Sequence, residues 1–128
     1  MVYPMSFFRK TLGEKGERAA ERFLQKSGCR TLVRNFKVPC GEIDLVVQEK
    51  KTGCLIFAEV KTRSDESVAR GEDAVGRQKQ RHIVRAAEAF VKAKRVPPDT
   101  PLRFDVLVVT FDADGHPVVR HTPAAFRP

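Results

Sequence analysis

The chain has 128 residues, 41% of them hydrophobic and 31% charged, with no internal repeat; this is the size and balance of one compact domain over 1–128 and calls for no second one. Lysine and arginine outnumber aspartate and glutamate by 24 to 16, so a formal net charge of +8 and a pI near 9.8 favour a polyanionic partner. No stretch approaches the roughly 20 apolar residues of a membrane helix, the opening residues lack the pattern of a secretory leader, and Cys29, Cys40 and Cys54 have neither an even count nor zinc-ligand spacing. These features exclude a membrane protein and point to a cytoplasmic one with reduced thiols.

Residues 1–10 read as a loose N-terminal segment, a short greasy patch followed by charge. Residues 12–26 predict a helix, with Leu12, Ala19, Ala20, Phe23 and Leu24 on one stripe and Gly28 placed to stop it. Glu17 borders that stripe; it is either an acid turned toward the interior or an exposed partner of Arg18 or Lys10. Residues 30–38 predict a strand through Thr31, Leu32, Val33 and Phe36, broken by Pro39-Cys40-Gly41. Arg34, Asn35 and Lys37 on it are either phosphate contacts or solubilising edge residues.

Two strand-like runs follow, Gly41-Glu42-Ile43-Asp44-Leu45-Val46-Val47 and Phe57-Ala58-Glu59-Val60-Lys61, joined by Glu49-Lys50-Lys51-Thr52-Gly53, which has hairpin chemistry. Pairing Glu49 with Cys54 sets Asp44 opposite Glu59 and Glu42 opposite Lys61. Ile43, Leu45, Val47, Ile56, Ala58 and Val60 would then share an apolar face that packs on a core. Two opposed carboxylates repel, and embedding them in apolar runs is costly without a compensating cation. Mg²⁺ or Mn²⁺ takes one or two protein carboxylates together with substrate phosphates, which Asp44 and Glu59 match. Lys61 would hold or deprotonate an attacking water, or steady charge building on a phosphoryl centre. The plainer reading is an ion-paired trio at a solvated sheet end.

Residues 64–71 are polar and predict a mobile loop beside that site. A helix over 73–95 follows from the stripe Val75, Lys79, His82, Ile83, Ala86, Ala87, Phe90 and Val91, ended by Pro97-Pro98. His82 reads as a hydrogen-bonded core histidine, and Lys79 as either a snorkelling lysine or a phosphate contact. Residues 103–111 predict a strand turned by Asp112-Ala113-Asp114-Gly115 into an antiparallel partner at 118–121. The acids of that turn lack the remaining ligands of a calcium loop, and Arg103 with Asp105 suits an internal ion pair.

The order D, a hairpin's length, then E-x-K at Asp44, Glu59 and Lys61 resembles the signature of the PD-(D/E)xK nuclease superfamily, although Ile43 stands where the signature has proline. Gly13-Glu14-Lys15-Gly16-Glu17-Arg18-Ala19-Ala20, Arg34-Asn35-Phe36, Gly41 to Val46, Phe57 to Arg63, Lys79 and Arg103-Phe104-Asp105-Val106 occur in the order of the bacterial YraN-like family. The resemblance spans nearly the whole chain. It implies an α/β, restriction-endonuclease-like fold with a central mixed sheet of about five strands flanked by helices, similar to archaeal Holliday-junction resolvases.

It further implies a metal-dependent endonuclease acting on DNA phosphodiesters, at branched or structured sites. Asp44 and Glu59 would bind Mg²⁺ or Mn²⁺, the Val60 carbonyl would complete the shell, Lys61 would act on the water and Glu17 would orient it. Lys79, Gln78, Arg63 and Arg34 are the implied nucleic-acid contacts. The alternative is a catalytically silent binding or repair-complex module on the same fold. RNA ranks below DNA because no stacking-aromatic motif is present and Trp is absent. A homodimer is expected only with junction resolution, which needs two sites across a two-fold axis.

Overall fold

The computed structural model describes residues 5–64 and 75–128, with side chains from residue 11. The elements run α1 (Met5–Lys26), β1 (Cys29–Val38), β2 (Gly41–Glu49), β3 (Leu55–Thr62), α2 (Arg77–Ala93), β4 (Leu102–Phe111) and β5 (Pro117–Phe126). The strands form one five-stranded sheet in the order β1-β2-β3-β4-β5. It is mixed: β3 and β4 are parallel, with α2 in the crossover between them, and the other neighbours are antiparallel.

Both faces of the sheet are covered. On one, Ala20 and Leu24 of α1 pack on Leu45, Val47, Ile56, Ala58, Leu107 and Val109. On the other, Ile83, Ala86, Ala87 and Phe90 of α2 pack on Val46, Leu55, Phe57, Phe104 and Val106. The continuous apolar runs of β3 and β4 are what a strand buried on both sides requires.

Several sequence expectations are corrected. The first helix starts at Met5 rather than residue 12; the core stripe that marked the predicted start is shorter than the helix carrying it. The second helix starts at Arg77, and residues 65–74, including most of the predicted loop, lie outside the described residues. The last strand runs to Phe126, through Pro123 and Ala124 with φ 50°. An edge strand tolerates such a bulge because one side of it needs no ladder.

The apolar face read from the sequence also divides. Leu45 and Val47 belong to the α1-side core with Ile56, Ala58 and Val60, but Ile43 belongs to the α2-side core. Side-chain alternation is therefore broken at Asp44. Across from it, Asn35 has φ 51°, and no pair joins the two between Arg34↔Leu45 and Phe36↔Ile43. A left-handed residue reverses the pleat locally, and asparagine is among the few side chains that accept that conformation readily.

Candidate metal centre

The hairpin register agrees with the sequence reading as far as Leu45↔Ala58. Beyond that the two strands part, and Asp44↔Glu59 and Glu42↔Lys61 are not ladder pairs. Glu42 stays opposite Lys37 on β1, whereas Glu59 and Lys61 lie beside Val106 and Val108 of β4. The Asp44 side chain fills the fork: its Oδ2 accepts the Val60 N–H at 2.7 Å, the hydrogen bond a backbone carbonyl would otherwise take.

Asp44 and Glu59 consequently meet by their side chains, which are hydrogen-bonded to each other. Glu59 is only 8% exposed. Burial first, and then the Asp44 charge, push its pKa from 4.5 up to about 7, while the Lys79 ammonium pulls the other way. Asp44 is raised too, mainly by burial and by Glu42, against the Val60 N–H and Lys79. Below about pH 7, with no cation bound, Glu59 holds a proton that it donates to Asp44.

Two helices complete the surroundings. Glu17 of α1 is half-buried, and burial and the Asp44 charge raise its pKa, partly offset by a hydrogen bond with Asn35. Arg18 pairs with Glu14 instead, so Glu17 is the acid of α1 turned toward the site. Close approach holds it there: a Cβ on Gly16 would sit 2.0 Å from Thr62 Oγ1. From α2, Lys79 Nζ lies 3.6 Å from Glu59 Oε1. That helix is drawn onto β2 at Gly41, where a Cβ would meet the His82 carbonyl oxygen at 2.2 Å. A groove of about 320 Å³ opens beside the carboxylates, with Lys37, Lys79 and His82 in its wall and Glu42 as its acid.

Lys61 is half-buried, two residues beyond Glu59 on the same strand face, and makes no ion pair among the described residues. It does not face Glu42. The amine that contacts the acids is Lys79, which the sequence offered as a snorkelling lysine or a phosphate contact; its reach depends on how α2 lies over the sheet. Asn35 was read as a phosphate contact or a solubilising edge residue; its part in the site was signalled only by its being an asparagine, a residue enriched where φ is positive. Gln78 is exposed beside Lys79, and Arg63 follows β3 with its guanidinium on the Thr62 carbonyl at 3.1 Å. Arg34 is held elsewhere: its Nε and Nη2 lie 2.9 and 2.8 Å from the buried Glu21 carboxylate, which also accepts the Thr31 hydroxyl.

The donor set suits a hard divalent ion. Asp44 keeps its second oxygen, Glu59 adds a carboxylate and the adjoining strand a carbonyl at Val60; all are oxygen donors, the kind Mg²⁺ and Mn²⁺ select. A separate acidic group, Asp112, Asp114 and His116, lies exposed in the β4–β5 turn. There Asp112 Oδ1 accepts the backbone N–H groups of Asp114 and His116, which is turn chemistry.

The profile of the uncharacterised protein family UPF0102 matches residues 16–109. A UPF0102 protein of Syntrophotalea carbinolica is 41% identical over 122 residues, covering 95% of this chain and 96% of the relative. One from Geobacter metallireducens is 40% identical, covering 95% and 97%, and one from Trichlorobacter lovleyi is 37% identical, covering 91% of each. Among solved structures, that of Pyrococcus furiosus SfsA in complex with Ca²⁺ is similar at a TM-score of 0.46 and 17% identity; the match covers 84% of this chain and 62% of that one.

Proposed function

The chain belongs to the uncharacterised protein family UPF0102, the YraN-like family of the restriction-endonuclease-like superfamily, and from that membership we propose that it is a metal-dependent endonuclease hydrolysing DNA phosphodiester bonds. One observation carries the reading: Asp44 and Glu59 come from separate strands into a fork where burial raises both pKa values. Two buried acids hydrogen-bonded to one another are a costly arrangement that a divalent cation relieves.

The ion, Mg²⁺ or Mn²⁺, would be held by Asp44, Glu59 and the Val60 carbonyl, and would neutralise charge on the scissile phosphate and on water nearby. The remaining steps belong to the protein. Lys61 donates a hydrogen bond that holds the attacking water and then balances charge on the phosphoryl oxygens. Glu17, whose pKa burial and the Asp44 charge raise, orients that water from the opposite helix. Lys79 keeps Glu59 in place and, with Gln78 and Arg63, faces the incoming backbone. DNA is preferred to RNA, a homodimer is proposed for junction substrates, and the unpaired thiols of Cys29, Cys40 and Cys54 suit a cytoplasmic setting. Among the described residues no helix is long and apolar enough to cross a membrane.

The test is cleavage of linear, flapped and four-way-junction DNA with Mg²⁺ or Mn²⁺ by the wild type, Glu59→Ala and Lys61→Ala. Loss of about a hundredfold or more in each variant is expected; equal activity in all three would reveal a contaminant and end the catalytic reading. The Lys79–Glu59 ion pair favours a second reading, a nucleic-acid-binding module in which the lysine permanently takes the cation's place. It gives salt-sensitive DNA binding, no product with any metal, and binding indifferent to Glu59→Ala.

A further inference from the structure

A second basic groove lies apart from the carboxylate fork, between α2 and the residues after β5. It encloses about 380 Å³, and Arg77, Arg81, Arg85 and Arg127 line it with Glu88 as the one acid in its wall. We propose that this groove is a rail for a nucleic-acid phosphodiester backbone, binding a stretch of substrate distinct from the one at Asp44 and Glu59. The choice of nucleic acid as occupant rests on the function proposed above.

The buried face of α2 is set by Ile83, Ala86, Ala87 and Phe90. Arg77, Arg81 and Arg85 recur every fourth residue on the opposite side and rise about 6 Å per step, a spacing close to that of successive phosphates along a strand. Like charges four residues apart repel and weaken a helix. Here none of the arginines, nor Arg127, has an ion-pair partner among the described residues, and Glu88 is the one acid beside them in the wall. All four are arginines, whose planar forks bind phosphate oxygens two at a time. Lys79 lies almost opposite this row on the helix and faces Glu59. One phosphate cannot serve both. A membrane surface fits less well, because Val84 is the sole large apolar group in the wall and the chain has no Trp to anchor at a lipid interface.

The test is fluorescence anisotropy of labelled duplex and four-way-junction DNA with EDTA present, across a range of salt. The proteins are the wild type, R81Q/R85Q, R81K/R85K, and K50Q/K51Q, which removes the same charge from the exposed β2–β3 turn. R81Q/R85Q should weaken binding about tenfold or more and lower the slope of log K against log salt by roughly two. R81K/R85K should keep the slope and lose part of the affinity, and K50Q/K51Q should stay within about twofold of wild type; thermal unfolding shows that each variant is folded, and the lysine pair carries the test if the glutamine pair is not. Unchanged affinity and slope in R81Q/R85Q would overturn the rail, as would an equal loss in K50Q/K51Q. Cleavage by wild type alongside normal binding by R81Q/R85Q refutes the rail alone. Absent cleavage with the binding defect refutes the nuclease alone.

Discussion

Glu59 is the residue at which the folded state and the proposed chemistry oppose each other. Its pKa rises from 4.5 to about 7 on folding, so the native chain binds a proton there more tightly than the unfolded one. The stabilisation from that proton is complete below about pH 4.5 and is lost as pH climbs through about 7. Glu59→Gln mimics the protonated form at every pH. In EDTA it should therefore be more stable than wild type at pH 8, on the order of 1–3 kcal/mol, and the difference should vanish near pH 4.5. Thermal unfolding at the two pH values measures this, and a variant no more stable at pH 8 would mean the acids are not strained. Asn35 offers a second test, since its side chain binds Glu17 while its backbone takes φ 51°. Asn35→Gly should keep stability within about 0.5 kcal/mol but impair cleavage, whereas Asn35→Ala should also destabilise by about 1 kcal/mol. Equal stability of the two in urea unfolding would show that the left-handed backbone carries no cost.

At the scale of elements, the fork between β2 and β3 exists because each strand keeps another partner, β1 for the first residues of β2 and β4 for the end of β3. Helix α2 can deliver Lys79 to that fork only because Gly41 leaves room for the His82 carbonyl. Gly41→Ala should cost roughly 1–3 kcal/mol, since a peptide carbonyl cannot step aside as the end of a side chain can. Urea unfolding checks it, and a neutral result would contradict the close packing. The far side of the sheet is fastened by Asp105, which is fully buried and accepts both Arg103 Nε and Nη2, at 2.8 and 2.9 Å. His121 Nε2, at 2.7 Å, and the Ala124 N–H, at 3.0 Å, complete its partners on β5. Its pKa is lowered despite burial by His121, Arg103 and Ala124. Its contribution is thus present above the unfolded value of 3.8 and lost as pH falls below that. Asp105→Ala should destabilise by about 3–5 kcal/mol at pH 7, read by chemical denaturation.

For the molecule as a whole, what could be read from the sequence was what neighbouring residues determine. The hairpin register followed from Glu49 and Cys54 around the Gly53 turn, and the buried stripe of α2 from its helical period. The Asp44 kink was hidden because its origin, the left-handed Asn35, lies on another strand. The second core was hidden because the sequence of β2 and β3 was read as having one apolar face, when a sheet covered by α1 and α2 has two. Lys79 interrupted an apolar stripe and read as a phosphate contact, but its contact with Glu59 was hidden because the packing of a helix on a sheet makes it.

A divalent ion in the fork must displace the proton shared by the acids, so binding should strengthen as pH rises through about 7. Calorimetric titration of Mn²⁺ into the wild type, Asp44→Asn, Glu59→Gln and Asp112→Asn at pH 6 and pH 8 examines this directly. One ion per chain should bind at pH 8 and more weakly at pH 6, with protons released on binding; it should be lost in the Asp44 and Glu59 variants and kept in Asp112→Asn. Saturable binding that survives both of the first two substitutions, or none in the wild type at pH 8, would contradict it.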